Sequence, residues 1–409
     1  MIMNLSTQPT SEDILKSMDN CTKCGICDSY CPVAKVTNQF PGPKYSGPQT
    51  QRFRLLEDLI EISPELCNGC GICTSVCPNE VAITDIITHA KSDLINKNKK
   101  ISFLQTLLNR PETIGKLGNI FPTVSNFILH NNFFRYLANQ FFCLDSSAPL
   151  PNFHGKKFKR FLNKIKIDSN KKNIIYFSGC AVDNYDSEVG IAAIKLMNYL
   201  GYNVIANTDS CCSLPMLSSG EWKAATNRSK ELIDSLSRSL TLSENIISTS
   251  TSCSLTIKKK YSAYLNFTDS KSVQISQSIK DICEYILENH MGFLEGKMKP
   301  INKKIFYHGP CQLRSHGIGQ PAVELLRLIP QISLFLSESD CCGIGGTFGY
   351  AKGRNEISEL IGKSLIEQIK VDKPDIILCD SETCRWNIEK NSGIKTLHPI
   401  QIILESLNI

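Results

Sequence analysis

Short, fully apolar runs alternate with helix-like segments along the chain after residue 170. Two of these runs end at a cysteine, in "NIIYFSGC" (residues 173–180) and "KKIFYHGPC" (residues 303–311), and helical periodicity follows in "VGIAAIKLMNYLG" and "PAVELLRLIP". A later apolar run closes each unit, as "ENIISTSTSC" or "DIILCDSETC". Apolar runs that alternate with helices are typical of βαβ units, so the pattern predicts a parallel sheet in each unit.

The two units form an internal repeat. Each contains a lone cysteine, an adjacent pair and a later cysteine, and corresponding cysteines are separated by 130 or 131 residues. The first set is Cys180, Cys211, Cys212 and Cys253, and the second is Cys311, Cys341, Cys342 and Cys384. Each group falls at the C-terminal end of a predicted strand, where open α/β sheets place their sites. Four thiolates that converge there suit an iron–sulfur cluster, so these eight residues are predicted cofactor ligands.

The N-terminal part of the chain carries a second and stronger cysteine pattern. "CTKCGICDSYCP" and "CNGCGICTSVCP" share the Cys-x2-Cys-x2-Cys-x3-Cys-Pro spacing of bacterial two-cluster ferredoxins, in which the fourth cysteine ligates the other cluster. The motifs therefore predict one [4Fe–4S] cluster on Cys21, Cys24, Cys27 and Cys77, and a second on Cys67, Cys70, Cys73 and Cys31. A pair of zinc sites is the alternative, but two complete motifs with proline exceed what zinc requires.

Composition favours metal loading over disulfide bonds. The chain has 19 cysteines in 409 residues, yet its first residues show no basic start followed by an apolar stretch. No run of about 18 apolar residues is present, so a membrane-spanning helix is not expected. We therefore expect a reduced, cytoplasmic, metal-loaded protein. The net charge of +6 is a mild excess that does not by itself indicate a nucleic-acid partner.

The adjacent cysteine pairs need sharp turns, because neighbouring thiolates must reach two edges of one cluster. Gly343, Gly345 and Gly346 permit such a turn in the second repeat. The first repeat has Ser213 and Pro215 at this place, so its turn is expected to differ.

Several residues near the predicted ligands have two interpretations. Cys379 is either a substitute ligand or, as we favour, a buried strand residue, and Cys143 and Cys283 are also expected to be buried. His308 and His316 flank Cys311 and either tune a cluster or simply pack and form hydrogen bonds, while Arg314 and Arg385 are candidates to stabilise cluster charge.

The middle of the chain changes in character. Residues 101–150, the aromatic segment, contain no metal motif but many aromatic side chains, namely Phe103, Phe121, Phe127, Phe133, Phe134, Tyr136, Phe141 and Phe142. Residues 156–172, the basic segment, follow with eight Lys or Arg against one Asp. One interpretation is a linker whose amphipathic helix docks on the next domain. The other is a helix that lies on the anionic cytoplasmic face of a membrane.

The adjacent cysteine pairs resemble the CCG domains of heterodisulfide-reductase-type proteins. Longer stretches resemble the C subunit of anaerobic glycerol-3-phosphate dehydrogenase, among them "PGPKYSGPQTQRFR", "GPCQLRSHGIGQPAVELLRLIP" and "DCCGIGGTFGYAK", and the resemblance covers nearly the whole chain. The sequence departs from the fuller CCG pattern at Ser250 and Ser381, where that pattern has a cysteine. The type and number of clusters in the repeats therefore stay open.

Motifs and resemblance together predict an α+β multidomain protein. We expect a helical domain with two [4Fe–4S] clusters at residues 1–98, a linker at 99–172, and α/β CCG domains with parallel sheets at 173–298 and 299–409. The resemblance implies one or two further iron–sulfur clusters in the CCG domains. No GxGxxG motif follows a strand and no P-loop is present, so flavin is expected in a partner protein rather than in this chain.

The resemblance also implies a function. It implies an electron-transfer subunit that takes electrons from an FAD-containing dehydrogenase of sn-glycerol-3-phosphate and delivers them to membrane quinone, with menaquinone expected. Such a chain would attach peripherally to the cytoplasmic face of the inner membrane. Substrate choice lies in the partner, so a glycolate or lactate oxidase or a heterodisulfide-reductase-like complex is the alternative. A cysteine-rich redox-sensing or structural metal module is an alternative of another class.

Overall fold

A computed structural model describes residues 9–56, 61–97, 101–208 and 210–409. Residues 1–8 and the predicted domain boundary at residue 98 lie outside this described part of the chain. The described residues between 9 and 97 are largely helical, as expected for this domain. Their α-helices are α1 (Ser11–Lys16), α2 (Ile26–Tyr30), α3 (Thr50–Leu56), α4 (Ile72–Ser75) and α5 (Ile83–Asn96).

The aromatic segment forms four short helices rather than an extended linker. These are α6 (Phe103–Leu108), α7 (Pro111–Gly118), α8 (Pro122–His130) and α9 (Asn132–Phe142), and the basic segment adds α10 (Lys157–Leu162). Helices α7 and α8 begin at Pro111 and Pro122. Proline is tolerated at this position because an N–H in the first helical turn has no acceptor within the helix, so its absence costs no hydrogen bond. Among the described residues, no helix is both long enough and apolar enough to cross a bilayer.

The first repeat is a four-stranded parallel sheet with helices on both sides. Its strands are β1 (Lys172–Phe177), β2 (Tyr202–Asn207), β3 (Ile246–Ser248) and β4 (Ile279–Asp281), in the order β2-β1-β3-β4. Its helices are α11 (Gly179–Asn184), α12 (Ser187–Tyr199), α13 (Leu214–Ser219), α14 (Trp222–Ser239), α15 (Thr251–Leu255), α16 (Tyr261–Leu265), α17 (Ser270–Ser278) and α18 (Ile282–Leu294). A π-helical turn, Thr256–Lys260, joins α15 to α16.

The second repeat has the same topology, which confirms the predicted duplication and fold class. Its strands are β5 (Lys304–Tyr307), β6 (Ser333–Leu336), β7 (Ile376–Leu378) and β8 (Thr396–Leu397), in the order β6-β5-β7-β8. Its helices are α19 (Cys311–His316), α20 (Pro321–Leu326), α21 (Arg354–Asp372), α22 (Glu382–Ser392) and α23 (Pro399–Leu407).

The two faces of each sheet are covered by different parts of the chain. Ile174 and Tyr176 of β1 lie in a core that both repeats share, whereas Ile175 and Phe177 lie in a core shared with α5 of the N-terminal domain. The period of two follows from the alternation of side chains along a strand. A sheet buried on both faces explains why the strand sequence is a continuous apolar run. The repeats are therefore packed together through one core.

Helix α10 docks on the first repeat through Phe158. The ring is 1% exposed and makes an edge contact with Tyr176, with a centroid distance of 6.3 Å. The ring also packs against Gly190 of α12, where a Cβ atom would lie only 2.7 Å from it. The docking interpretation of the basic segment therefore holds for this helix.

Replacing Phe158 with Ala should lower the free energy of unfolding by about 3–5 kcal/mol, because a large buried side chain leaves a cavity. Ile167 belongs to the same segment but is 78% exposed, so Ile167→Ala should change stability by less than about 0.5 kcal/mol. Urea denaturation of the two variants measures both values. Equal stability of the two variants would contradict the docking of α10.

Candidate metal centres

The N-terminal cysteines meet around two cavities. Cys21, Cys24, Cys27 and Cys77 line the first ferredoxin cavity. Cys31, Cys67, Cys70 and Cys73 line the second ferredoxin cavity. The structure thus brings together the same two sets of cysteines that the motif spacing predicts, with the fourth cysteine of each motif beside the first three of the other.

Glycine makes both arrangements sterically accessible. Gly25 and Gly71 follow the second cysteine of each motif, and both adopt positive φ, +84° and +81°. Only glycine takes up this left-handed conformation without strain. The turn reverses the chain between the second and third cysteines, so that α2 and α4 begin directly after it and carry Cys27 and Cys73.

Two thiols of these cavities hold their protons tightly unless a cation binds beside them. Burial raises the pKa of Cys27 to about 12 and that of Cys31 to about 11. A cation that ligates sulfur displaces these protons and removes the cost of a buried thiolate. Cys73 Sγ lies 3.1 Å from the Thr84 hydroxyl, and the Ala34 amide donates to Cys31 Sγ at 3.5 Å. Hydrogen bonds to sulfur of this kind tune the potential of an iron–sulfur cluster.

The eight predicted ligand cysteines of the repeats line one larger space, the central cavity, with a volume of about 230 Å³. They are Cys180, Cys211, Cys212 and Cys253 of the first repeat and Cys311, Cys341, Cys342 and Cys384 of the second. The Sγ atoms of Cys180 and Cys211 are 3.9 Å apart, and those of Cys342 and Cys384 are 3.1 Å apart. Each set gathers at the C-terminal ends of the strands in its own sheet, where the repeat pattern predicts it.

The turns after the two adjacent pairs both start with a left-handed residue and then differ, as predicted. Helix α13 begins at Leu214 in the first repeat, whereas Gly345 and Gly346 of the second repeat again have positive φ, +56° and +62°. Ser213 in the first repeat takes the left-handed conformation at φ +61°, and Gly343 in the second has φ +94°. A Cβ atom on Gly343 would lie 2.0 Å from the carbonyl oxygen of Ser358 in α21. The second turn therefore requires glycine for space as well as for conformation, whereas the first accepts the strain of a serine.

The two serines that replace a cysteine of the fuller CCG pattern each directly precede a helix. Ser250 is the N-cap of α15, and its hydroxyl accepts a hydrogen bond from the Cys253 amide at 3.3 Å. The same hydroxyl donates to the Glu382 carboxylate at 3.1 Å. Ser381 occupies the equivalent place before α22. Glu382 belongs to the second repeat yet lies beside the first set of cysteines, a contact that the sequence pattern does not reveal.

The three cysteines that are not predicted ligands differ in burial. Cys379 and Cys283 are fully buried, as expected, and Cys379 lies outside the lining of the central cavity. The expectation that Cys143 is buried is wrong, because it is exposed. It ends α9 in the left-handed conformation, at φ +56°, on a helix whose aromatic side chains also face outward.

The flanking histidines and arginines are held by other protein groups. Arg314 pairs with Asp340 at 2.6 Å, and Arg385 pairs with Asp186 at 2.7 Å. The His308 Nδ1 atom lies 3.1 Å from the Ser337 hydroxyl, and the His316 Nε2 atom lies 3.2 Å from that of Ser254. The other ring nitrogens, His308 Nε2 and His316 Nδ1, are buried without a hydrogen-bond partner among the described residues, so these contacts do not separate the two interpretations of the histidines.

The aromatic segment supplies an apolar wall of the central cavity. Leu108, Pro111, Ile114, Leu129 and Leu150 line it from this segment. Asn68 lines both the central cavity and the second ferredoxin cavity. Ile83 lines the first ferredoxin cavity, and the next residue, Thr84, lines the second. The three cavities therefore form a row with thin shared walls.

Helix α19 holds the N-terminal domain against the second repeat. The Gln312 side-chain amide donates to the Gly69 carbonyl at 3.3 Å, and the Ser315 hydroxyl donates to the Cys70 carbonyl at 3.5 Å. Both acceptors belong to the second ferredoxin motif, and Gln312 directly follows the predicted ligand Cys311. This contact brings the second ferredoxin cavity next to the cysteines of the second repeat.

Comparison with known families agrees with this architecture. Residues 17–81 match the family described as 4Fe-4S dicluster domain, and residues 174–258 and 305–389 each match the family described as Cysteine-rich domain. Fold and cysteine cavities thus define a class of protein, the dicluster iron–sulfur electron-transfer subunits that carry two CCG domains.

Whole-chain similarity narrows this class. The chain is 30% identical to the C subunit of anaerobic glycerol-3-phosphate dehydrogenase from Escherichia coli (strain K12), over 96% of this chain and 99% of that protein. The chain belongs to this family of oxidoreductase subunits, as the sequence motifs predict.

More distant relatives share part of the chain. The B subunit of fumarate reductase (CoM/CoB) from Methanothermobacter marburgensis is 28% identical over 57% of this chain and 45% of its own length. "Lactate utilization protein A 2" of Bacillus cereus (strain 03BB102) is 26% identical over 57% of this chain and 98% of its own length. Proteins named for different substrates therefore share parts of this architecture.

The turn at the second cysteine pair gives a direct test of the site. Gly343→Ala should cost clearly more than the roughly 1–2 kcal/mol of a left-handed alanine, because its Cβ also meets the Ser358 backbone. Gly353 has φ +77° and open space around it, so Gly353→Ala isolates the conformational cost. Only Gly343→Ala should also lower the iron content of the purified protein. Equal stability and iron content in both variants would contradict the geometry of this turn.

Proposed function

We propose that this chain carries electrons from a flavoprotein dehydrogenase of sn-glycerol-3-phosphate to membrane quinone. Iron–sulfur clusters, when bound to the cysteine sets, supply the one-electron carriers. The chain's own residues fix where the carriers sit, what lies between them and what surrounds the two ends of the row. The observation that carries the proposal is the row of three cysteine-lined cavities that ends at an apolar wall.

The donor sets fit the proposed cofactors. Cys21, Cys24, Cys27 and Cys77 would hold one [4Fe–4S] cluster, and Cys31, Cys67, Cys70 and Cys73 a second. The two sets of four cysteines in the central cavity would each hold a further iron–sulfur cluster. Four thiols around one buried space are the ligand set that such clusters require, and the sets are complete without Cys379.

The surface end of the row suits a protein partner. Cys24 is exposed, and polar side chains, Thr22, Lys23 and Asn79, surround the first ferredoxin cavity. A cavity so close to the surface lets a partner protein bring its flavin within electron-transfer reach. We therefore place the docking site of the flavoprotein at the first ferredoxin motif.

The opposite end of the row suits a lipid-soluble acceptor. The aromatic segment has one face on the central cavity, through residues such as Ile114 and Leu129, and another face exposed. The exposed face presents large side chains, among them Phe121, Phe127, Phe133, Phe134, Tyr136, Phe141 and Phe142. Exposed apolar patches of this kind mark interaction or membrane sites. We propose that it inserts into the membrane interface, so that quinone reaches the apolar wall of the central cavity from the bilayer.

The charge pattern of the aromatic segment supports insertion. Arg135 is the one Asp, Glu, Lys or Arg between residues 117 and 144. Its guanidinium donates to the carbonyls of Leu129, Ser146 and Ala148. Insertion would therefore leave this charge with its hydrogen-bond partners. The basic segment adds charge that anionic lipids attract, at about 1 kcal/mol per residue near the surface.

Exchange of single cysteines for serine tests the ligand sets in the full chain. Cys341→Ser and Cys342→Ser should each remove about four iron atoms, one cluster's worth, and leave the N-terminal spectroscopic signals intact. Cys77→Ser should disturb the same signal as Cys21→Ser, because both residues line the first ferredoxin cavity. The exposed Cys143 provides the control, and Cys143→Ser should retain all iron. Unchanged iron in both Cys341→Ser and Cys342→Ser would exclude the adjacent pair as ligands.

A second experiment tests the membrane end and the substrate together. The complex purified with its flavoprotein partner should reduce quinone with sn-glycerol-3-phosphate and should sediment with anionic vesicles, with partial release at high salt. Replacing Phe133, Phe134, Phe141 and Phe142 with Ser should weaken vesicle binding at least about tenfold and slow quinone reduction. Reduction of a soluble dye should persist, because the path through the cysteine cavities is unchanged.

The matched control is Phe293→Ser, which removes an exposed aromatic side chain from α18 in the first repeat and should leave vesicle binding unchanged. Normal vesicle binding and quinone reduction by the fourfold variant would refute insertion of the aromatic segment. A complex that reduces quinone with lactate or glycolate, and not with sn-glycerol-3-phosphate, would refute the proposed substrate.

A further inference from the structure

Lys260 lies where three parts of the chain meet. It is the last residue of the π-helical turn Thr256–Lys260 in the first repeat. Its ammonium group donates to the Gln312 side-chain oxygen at 3.1 Å, in helix α19 of the second repeat. The amide nitrogen of Gln312 in turn donates to the Gly69 carbonyl in the second ferredoxin motif. A single cation is thereby fixed between both repeats and the N-terminal domain.

The groups that face this cation are potential anions. Gln312, the partner of Lys260, lines the central cavity together with Cys311 and Cys212. Tyr261, the residue after Lys260, donates its hydroxyl to the Cys212 carbonyl at 3.0 Å. Burial lowers the pKa of Lys260, whereas the nearby Asp85, Cys311 and Cys212 act to raise it. Asp85 accepts a hydrogen bond from the Tyr264 hydroxyl at 2.6 Å. Cys212 belongs to the first set of the central cavity and Cys311 to the second. One positive charge is therefore shared between two different cysteine sets.

Neighbouring lysines of the same turn have other partners. Lys258 pairs with Glu284 at 3.4 Å, and Lys259 donates to the carbonyls of Ser315 and His316. Lys259 is exposed to solvent, whereas Lys260 is partly buried against Gln312, the residue after Cys311. The wide π-helical turn thus directs Lys260 toward the cysteines and Lys259 away from them, and π-helical turns are frequent at functional sites.

We propose that Lys260 is a counter-ion common to the two cysteine sets of the central cavity, and that its charge raises the reduction potentials of the iron–sulfur centres bound there. A fixed positive charge stabilises the more negative, reduced state of a thiolate-ligated centre, and it does so strongly where solvent is excluded. The inference rests on the cluster assignments proposed above. Its consequence is that electrons are drawn from the N-terminal sites toward the central cavity.

The test is a potentiometric titration of the full, cluster-loaded chain with dye mediators, followed by electron paramagnetic resonance. Lys260→Met keeps the length of the side chain and removes its charge. It should lower the equilibrium constant for reduction of the iron–sulfur centres in the two repeats about tenfold or more. For a one-electron step this is a fall of about 59 mV in midpoint potential. The centre at Cys21, Cys24, Cys27 and Cys77 serves as internal reference and should not move. Lys260→Arg keeps the charge and should stay close to the wild-type potentials.

Lys259→Met is the matched control, because it removes an adjacent lysine that is exposed to solvent and bonded to the carbonyls of Ser315 and His316, and it should leave the potentials of the centres in the repeats unchanged. Unchanged repeat potentials in Lys260→Met would overturn the proposal, as would a fall in Lys260→Arg equal to that in Lys260→Met. Loss of the repeat centres in Lys260→Met, with their retention in Lys260→Arg, would support the need for the charge. No flavoprotein or quinone enters the titration, so failure of the proposed electron donor or acceptor would show separately in the quinone assay.

Discussion

Four sulfur atoms from distant parts of the chain must meet at one buried point, and most of the architecture serves this requirement. In the repeats, parallel strands solve the problem, because their C-terminal ends all lie at one edge of the sheet. The central strand β1 delivers Cys180, its neighbour β2 leads to the adjacent pair, and β3 leads to Cys253. In the N-terminal domain, glycine turns and crossed motifs do the same work without a sheet. Both solutions leave thiols in spaces that favour metal binding, since a buried thiolate is otherwise costly.

Mutual packing of the repeats follows from the same requirement. Two sheets that gather cysteines at one edge can share a cavity only if those edges face each other. The shared hydrophobic core, which contains Ile174 of β1 and Ile305 of β5, holds them in this position. The opposite faces are closed by other segments, the first repeat by α5 and the second by residues such as Ala148 after α9. The relative placement of the cavities is thus fixed by apolar packing that does not itself require a cofactor.

Sequence patterns predicted the strands, the repeat and the sets of cysteines, but they did not predict the long-range contacts around the central cavity. Continuous apolar runs identified β1 and β5, and the constant spacing of the cysteines identified the repeat, because both signals are local or periodic. The spacing of the ferredoxin motifs also predicted which cysteines share a cavity. The role of the aromatic segment as a cavity wall was missed, since the placement of Leu129 beside the repeats is long-range and leaves no periodic trace. Glu382 and Lys260 were missed for the same reason, because each reaches the cysteines of a different repeat or domain.

The two ends of the row of cavities differ in chemistry, and the proposed direction of electron transfer rests on this difference. Polar side chains and the exposed Cys24 surround the first ferredoxin cavity, whereas an apolar wall borders the central cavity. A polar surface suits a protein partner, whose interface is commonly about as polar as the rest of the surface. An exposed aromatic surface in which Arg135 is satisfied by backbone carbonyls suits lipid, because contact with hydrocarbon then leaves this charge with its partners. Lys260 lies between these ends, next to the central cavity. In the proposed electron path, a cation there favours electrons on the apolar side, so the proposed role of Lys260 and the proposed acceptor site agree in direction.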